Sequence, residues 1–291
     1  MRSQDLSREL FGKRFQNPIL LAAGTAGFGK ELEGVLDLER LGGFVTKAVS
    51  REPRTGNASP RAAEFPGGML NSIGLANPGV IRVRDEYLPW LSSRLTRARV
   101  LVNVVGFTAE EYGEVVGELD GCPGITAFEL NLSCPNTHAG GIEFGADPAL
   151  VHRIVSRCRA RTRLPLIAKL SPVLPDIGGM AVAARDAGAD AISAVNTMPG
   201  LLFSDNGSAR LGNGNGGVSG PGLLPIGVLA VSRIVERIGT TPVIGVGGVR
   251  SAEDVRQYLK AGASLVAIGT GAMADPRLPE RIVSELERSH D

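Results

Sequence analysis

The chain has few cysteines, few aromatic residues and no excess of charge, and each shortage excludes a class of protein. Its three cysteines form no CxxC pair and no His/Cys cluster, so we expect neither a structural zinc site nor an iron–sulfur cluster on this chain. The net charge is +1 without a basic run, which argues against nucleic acid or an anionic membrane as a partner. No run of about 18 apolar residues is present to span a bilayer.

The residues that are abundant are aliphatic. Hydrophobic residues make up 43% of the 291 positions and aromatic residues only 4%, a balance typical of parallel strands buried on both faces. Residues 1–9 are too polar for a secretory signal peptide, and an odd number of cysteines fits a reducing compartment. We therefore expect a soluble, cytoplasmic protein.

Short apolar runs alternate with amphipathic stretches along the chain. Helical patterns lie between the runs: Thr108 begins a capping box, Ser251 precedes two acidic residues, and residues 148–161 have helical spacing. This alternation predicts one domain, residues 1–291, folded as a (β/α)8 TIM barrel. The predicted strands are residues 19–23, 44–48, 100–105, 128–132, 166–170, 191–195, 243–246 and 265–268.

A doubly wound open sheet is the competing fold, but residues 22–27 do not match the GxGxxG pattern that it usually shows after its first strand. Residues 6–15 are predicted to form a hairpin over the N-terminal face of the barrel, with its turn at Gly12-Lys13. Residues 50–78 and 196–225 are predicted to be long connections without regular structure. In a barrel they fall on the C-terminal face, where active sites form.

Two glycine-rich turns predict a phosphate site. Gly247-Gly248 follows the seventh predicted strand and Gly269-Thr270 follows the eighth, which are the two places where barrels often bind a phosphate. Glycine lets backbone N–H groups approach an anion, and a helix N-terminus adds a favourable dipole. FMN or a sugar phosphate would satisfy the pattern equally. The alternative is that these glycines only form tight turns.

Two lysines and an asparagine favour a flavin among these ligands. Lys47 and Lys169 lie at strand ends, where a buried charge needs a partner. A lysine near the pyrimidine end of a flavin stabilises the negative charge of the reduced ring, whereas a structural lysine would extend to the barrel rim. Asn103 interrupts an apolar strand, and it must be hydrogen-bonded if it points inward.

Amide side chains near the strand ends predict a pocket for a small ring. They offer both donors and acceptors, which suits a planar ring with alternating carbonyl and N–H groups, although a single asparagine is more often a turn former. Lys47 would hold a carboxylate on that ring. The candidate residues are Asn71, Ser72, Ile73, Gly74, Leu75, Asn131, Asn136, Asn196 and Thr197.

Cys134, which follows the fourth predicted strand, is the candidate catalytic base. A thiol needs a water-poor, oriented setting or a nearby positive charge to take up a proton at neutral pH. The glycines of residues 136–147 are typical of a lid that excludes water. The alternative role is a small buried hydrophobe, which we expect for Cys122 and Cys158. His138 suggests a Cys–His pair for acyl transfer, but no orienting carboxylate is evident.

In their sequence and their order along the chain, these motifs resemble those of the dihydroorotate dehydrogenases over nearly the whole chain. A cysteine at position 134 resembles the class 1 enzymes, because the membrane-associated class 2 enzymes have serine at this position. Asn71-Ser72-Ile73-Gly74-Leu75 and the lid glycines at 140, 141 and 145 resemble class 1B, the NAD-dependent type. The resemblance implies an FMN-containing catalytic subunit that oxidises (S)-dihydroorotate to orotate in pyrimidine biosynthesis. It also implies a homodimer core within a heterotetramer, whose partner subunit carries FAD and a [2Fe–2S] cluster and passes electrons to NAD+.

The resemblance also assigns roles to single residues. Cys134 would take a proton from C5 of dihydroorotate while a hydride leaves C6 for FMN. Ala23 and Ala48 stand where the family often has a hydroxyl, so we expect no side-chain hydrogen bond to FMN from either. Dihydroorotate would contact Lys47, Asn71, Ser72, Ile73, Gly74, Leu75, Asn131, Asn196 and Thr197. FMN would contact Ala23, Lys47, Ala48, Asn103, Asn131, Lys169, Val195, Gly220, Gly247, Gly248, Gly269 and Thr270.

Three alternatives remain open at the level of the sequence. A fumarate-dependent enzyme of class 1A would carry out the same oxidation without a partner subunit. A related FMN barrel would act on another dihydropyrimidine. A phosphate-binding isomerase or aldolase would have no redox chemistry. We expect no metal ion at the site.

Overall fold

A computed structural model describes residues 5–133, 135–136, 142–143 and 146–288. Short strands alternate with helices along the chain. In chain order the strands are β1 (Arg8–Leu10), β2 (Lys13–Phe15), β3 (Ile19–Leu21), β4 (Gly43–Val45), β5 (Ala62–Phe65), β6 (Gly68–Asn71), β7 (Arg99–Val104), β8 (Ile125–Asn131), β9 (Pro135–Asn136), β10 (Ile142–Glu143), β11 (Leu166–Leu170), β12 (Ala191–Ala194), β13 (Met198–Gly200), β14 (Gly216–Ser219), β15 (Val243–Val246) and β16 (Leu265–Ile268).

Eight of these strands form a closed parallel barrel. They follow one another in chain order as β3, β4, β7, β8, β11, β12, β15 and β16, and β16 pairs with β3 to close the sheet. The predicted (β/α)8 barrel is therefore confirmed. The predicted strands 166–170, 243–246 and 265–268 have the observed bounds, and the others differ by one to three residues at their ends.

Helices follow the barrel strands, and their caps are those that the sequence indicates. Thr108 accepts a hydrogen bond from the N–H of Glu111, and Ser251 accepts one from the N–H of Asp254. Within the described ranges, no helix is long and apolar enough to cross a membrane. The helices are α1 (Val80–Arg82), continued by a π-helical turn (Val83–Tyr87) into α2 (Leu88–Arg94), α3 (Ala109–Leu119), α4 (Pro148–Arg159), α5 (Ile177–Asp186), α6 (Leu223–Ile238), α7 (Ala252–Lys260), α8 (Thr270–Ala274) and α9 (Leu278–Arg288), with short 3-10 turns at Lys30–Leu32 and Leu38–Arg40.

The predicted N-terminal hairpin is present, but its turn lies one residue earlier than predicted. The turn residues are Phe11 and Gly12, whose φ angles of 58° and 66° are those that a two-residue type I′ turn requires. A turn at Gly12-Lys13 would pair Leu10 with Phe15, whereas the observed turn pairs Leu10 with Lys13 and Phe15 with Arg8. Leu10 and Phe15 both belong to the aliphatic cluster that fills the barrel interior.

The two long connections have regular structure, contrary to the prediction. β5 and β6 from the first connection join β13 and β14 from the second in an antiparallel sheet of order β13-β14-β6-β5, here called the cap sheet. Glycine weakens the strand signal in these segments, yet the packing requires it. A Cβ atom on Gly216 would overlap Asn71 O, and one on Gly217 would overlap the Thr197 side chain. The cap sheet therefore joins the two segments that were expected to carry function.

Truncation of Phe15 tests whether the hairpin belongs to the core. Phe15 is fully buried, so Phe15→Ala leaves a cavity that should lower the free energy of unfolding by about 3–5 kcal/mol. Urea denaturation followed by circular dichroism measures this loss. Phe203→Ala is the matched control, because its side chain is 64% exposed and the change should stay within about 0.5 kcal/mol. Similar losses in both variants would contradict the assignment.

Candidate active site

Four polar side chains on consecutive barrel strands lie in the barrel interior. They are Asn103 on β7, Glu129 on β8, Lys169 on β11 and Ser193 on β12, and all four are buried. Successive side chains of a strand point to opposite faces, so residues two apart share a face. Each of the four follows by two positions a residue of the interior aliphatic cluster: Leu101, Ala127, Ile167 and Ala191. The interior therefore changes from aliphatic to polar towards the C-terminal ends of these strands.

Glu129 is the centre of this polar layer. Its Oε1 accepts a hydrogen bond from Asn103 Nδ2 at 2.6 Å and lies 3.6 Å from Lys169 Nζ. The Glu129 and Lys169 side chains are only 2% and 7% exposed, so this is a buried ion pair. Each charge compensates the other, and removal of one would leave an isolated buried charge.

Two oxygens of the polar layer have no partner. Asn103 points inward as expected, and its amide nitrogen is bonded to Glu129. Its Oδ1, together with Ser193 Oγ, is buried without a hydrogen bond to any described residue. Unpaired buried oxygens are rare, and at a barrel mouth they indicate a site built for a polar ligand.

The ends of β8 and β12 bring two predicted substrate residues together. Asn196 Nδ2 donates to Asn131 Oδ1 at 3.2 Å, and Asn196 Oδ1 accepts the N–H of Thr197 at 2.8 Å. The backbone of Asn131 is held from behind, because the hydroxyl of the buried Tyr112 on α3 donates to its carbonyl oxygen at 2.5 Å. The side chains of Asn131 and Asn196, which are 65 residues apart in the chain, thus form one cluster, here called the amide cluster.

The cap sheet brings a third predicted substrate segment to this cluster. Asn71 Nδ2 donates to Gly217 O at 3.2 Å, and Gly217 lies directly against Thr197. Beyond β6 the segment turns through Gly74 and Leu75, whose φ angles of 71° and 59° are both in the left-handed region. Pairing of β6 with β14 therefore places Asn71 beside Thr197.

Lys47 differs from Lys169 in its surroundings. It lies two residues beyond β4, and its backbone N–H donates to Gly27 O at 2.7 Å. The side chain is half-buried, and no carboxylate in the described part of the chain lies within ion-pair distance of it. Its neighbour Ala48 packs against the outer core, and Ala23 packs against the interior cluster.

The loop after β15 packs against the first turn of α6. A Cβ atom on Gly248 would overlap the backbone nitrogen of Leu224, and one on Gly247 would lie 3.3 Å from Leu223 Cβ and 3.6 Å from Val195 Cγ2. Only glycine permits this approach, and Gly248 also has a φ of 77°. The two glycines therefore lie beside the helix N-terminus.

A third segment joins the same place. Thr270 Oγ1 donates to Ser219 Oγ at 2.7 Å, which links the start of α8 to the end of β14 and the adjoining Gly220. Among the described residues, the N–H groups of Gly248 and Gly269 have no acceptor. Unpaired backbone N–H groups near a helix N-terminus are the type of donors that bind anions.

The predicted phosphate-binding residues Gly220, Gly247, Gly248, Gly269 and Thr270 are here called the cradle, and space is open beside part of it. α6 begins after Gly222 without a side-chain cap, and a Cβ atom there would meet nothing within 4 Å. A Cβ atom on Gly269 would meet nothing closer than 3.6 Å. The unpaired N–H groups of the cradle are of the kind that bind a phosphate, and the unpaired Asn103 Oδ1 is an acceptor of the kind that binds a polar ring.

Comparison with known proteins identifies the family. The family model for dihydroorotate dehydrogenase matches residues 5–289. The chain belongs to the dihydroorotate dehydrogenase family. It is 44% identical over 285 residues to the catalytic subunit of dihydroorotate dehydrogenase B (NAD(+)) from Pelobacter propionicus, covering 98% of this chain and 93% of that protein. Identity to the proteins of the same name is 44% over 280 residues in Desulforudis audaxviator (95% and 90% covered) and 42% over 282 residues in Geobacillus kaustophilus (97% and 89% covered).

These comparisons confirm the resemblance to the NAD-dependent class of dihydroorotate dehydrogenases, which are oxidoreductases. The residue predicted as the base, Cys134, lies outside the described residues, and so do His138 and the lid glycines at 140, 141 and 145. The backbone of the predicted substrate residue Asn136 is described as part of β9. The catalytic assignment therefore stays a prediction.

The other two cysteines are in surroundings that suit packing. Cys158 is fully buried on α4, and this burial raises the pKa of its thiol to about 12. Cys122 is half-buried and carries a free thiol whose pKa is also raised by burial. Neither thiol is suited to take up a proton at neutral pH.

Sequence reasoning missed Glu129 and Ser193. Glu129 is two residues before Asn131 on the same strand, so the spacing alone places both side chains on one face. Ser193 is two residues after Ala191 on β12, so it shares the inward face of that residue. A polar residue inside a barrel strand thus indicates that the residues two positions away also face the interior.

The buried ion pair predicts a strong coupling between Glu129 and Lys169. Glu129→Leu or Lys169→Met should each lower the free energy of unfolding by about 3–5 kcal/mol, because the remaining charge loses its partner. In the double variant no isolated charge remains, so its loss should be smaller than the sum by about 1–3 kcal/mol. Urea denaturation of the four proteins at neutral pH measures the coupling. Strictly additive losses would show that the two charges do not interact.

Proposed function

We propose that the protein oxidises (S)-dihydroorotate to orotate in pyrimidine biosynthesis, with FMN as its bound cofactor. The main support is the full-length similarity to catalytic subunits of dihydroorotate dehydrogenase B. The barrel mouth adds independent support, since a polar layer and an anion cradle lie at the ends of different strands of the same barrel.

In this proposal the cradle holds the phosphate of FMN through backbone N–H groups. Lys47, Asn103, Asn131 and Lys169 would hold the flavin ring, and Ala23, Ala48 and Val195 would line it. Glu129 fixes the Lys169 ammonium and the Asn103 amide in position. When bound, FMN supplies the acceptor for the hydride that leaves C6 of dihydroorotate.

The substrate ring is assigned to the amide cluster. Asn131, Asn196, Thr197 and residues 71–75 offer donors and acceptors for its imide groups. Lys47 binds the carboxylate, because its charge is not compensated by a described carboxylate, whereas that of Lys169 is compensated by Glu129. Cys134 takes the C5 proton as a hydride leaves C6, and the C5–C6 double bond of orotate forms.

The electrons then leave the chain for NAD+ through a partner subunit that carries FAD and a [2Fe–2S] cluster. The support is that the relatives are named catalytic subunits, which implies a second subunit. We place this chain as a homodimer core within a heterotetramer. Cys122 and Cys158 carry free thiols, which fits a reducing compartment, and we place the reaction in the cytoplasm.

Replacement of Cys134 tests the assigned base. Cys134→Ala should bind FMN normally, but dihydroorotate should reduce the flavin about 10²–10⁴ times more slowly, because no group takes up the C5 proton. Anaerobic stopped-flow measurement of flavin absorbance gives the rate. Cys122→Ala is the control and should be reduced at the rate of the unmodified protein. Fast reduction of Cys134→Ala would refute the assignment.

The electron acceptor is tested with the purified chain alone and with its partner. The chain alone should reduce NAD+ very slowly, and addition of the FAD- and [2Fe–2S]-carrying subunit should restore turnover. Fumarate serves as the competing acceptor in both assays. Efficient fumarate reduction by the chain alone would contradict the NAD-dependent assignment and favour a class 1A enzyme.

A further inference from the structure

Tyr258 is a fully buried tyrosine on α7 that contacts the backbone of the cradle. Its hydroxyl donates to the carbonyl oxygen of Gly247 at 2.8 Å. Two glycines make room for the ring: a Cβ atom on Gly245 of β15 would overlap the ring carbons, and one on Gly227 of α6 would overlap the hydroxyl. Strand β15 and helix α6 therefore both make room for this one side chain of α7.

The hydrogen bond fixes the direction of one peptide group. In a trans peptide the C=O and the following N–H point in opposite directions. Because Gly247 O points outward to α7, the N–H of Gly248 points away from α7, towards the inside of the barrel. That N–H has no acceptor within the described part of the chain.

Gly247 and Gly248 pack against α6, but within the described residues only Tyr258 fixes their common peptide group by a hydrogen bond. Their φ angles of 118° and 77° belong to conformations open mainly to glycine, and neither residue has a side chain that would hold the loop. The only hydrogen bond to Gly247 O from the described residues is that of Tyr258. Burial raises the pKa of the phenol, so the hydroxyl keeps its proton and remains a donor at physiological pH.

We propose that Tyr258 is a positioning residue for the phosphate of the cofactor. By holding Gly247 O, it aims the Gly248 N–H into the cradle without touching the phosphate itself. The identity of the cofactor rests on the proposed function. A tyrosine that served only packing would affect all parts of the ligand alike, whereas this role concerns the phosphate alone.

Tyr258→Phe separates the two roles, because it keeps the ring and removes only the hydroxyl. The apoprotein is titrated with FMN and with riboflavin, which lacks the phosphate, and quenching of flavin fluorescence gives both dissociation constants. The dissociation constant of FMN should rise about 3–10-fold, as expected for one lost hydrogen bond, and that of riboflavin should change less than twofold.

Tyr112→Phe is the matched control. Tyr112 is also a fully buried tyrosine whose hydroxyl donates to a backbone carbonyl at a strand end, but its partner Asn131 belongs to the amide cluster. The ratio of the FMN and riboflavin dissociation constants should therefore stay that of the unmodified protein.

Three outcomes would overturn the proposal. Equal weakening of FMN and riboflavin by Tyr258→Phe would show a packing role, and unchanged binding of both would show no role at the site. Failure of the unmodified protein to bind FMN would refute the assigned cofactor itself, and this result is separate because it precedes any comparison of variants. Thermal denaturation of the apoproteins verifies that both variants are folded.

Discussion

The buried ion pair between Glu129 and Lys169 is the constraint on which the candidate site depends. A barrel interior of eight short strands is normally filled by aliphatic side chains, and here Leu10 and Phe15 of the hairpin seal its N-terminal end. A lysine can be placed above that filling only if a carboxylate accompanies it. Glu129 provides this charge and orients the amide of Asn103. The polar layer is therefore held in a fixed position below the barrel mouth.

The groups between the polar layer and the barrel mouth are fixed mainly through hydrogen bonds to their backbone. The hydroxyls of Tyr112 and Tyr258, from helices outside the barrel, reach the carbonyls at the ends of β8 and after β15. Both rings are fully buried, so each is as rigid as the surrounding core. The loops of a barrel carry its chemistry, but in this protein two of them are held by side chains that never reach the mouth.

Sequence periodicity predicted the barrel strands, whose pattern is local, but it did not predict strands that form only by pairing with distant parts of the chain. The barrel strands were predictable because buried parallel strands are continuous aliphatic runs, as in Leu166–Leu170. The cap sheet was not predictable, because β6 and β14 contain glycine and become strands only when they pair with each other. Asn71 and Gly217, which pair in this sheet, are 146 residues apart. Asn77, two residues beyond the predicted substrate residue Leu75, is a turn former, since its Oδ1 accepts the N–H of Gly79.

Charge compensation separates the tasks of the two lysines. Lys169 is neutralised by Glu129, so it adds little net charge to the mouth, whereas Lys47 faces no described carboxylate. In the proposed function the cradle holds its anion with neutral N–H groups and needs no lysine. The charge of Lys47 is therefore left for a second anion, and a ring that carries a carboxylate, such as dihydroorotate, supplies one. A neutral dihydropyrimidine would leave this half-buried charge without a partner, which favours the carboxylated ring as the substrate.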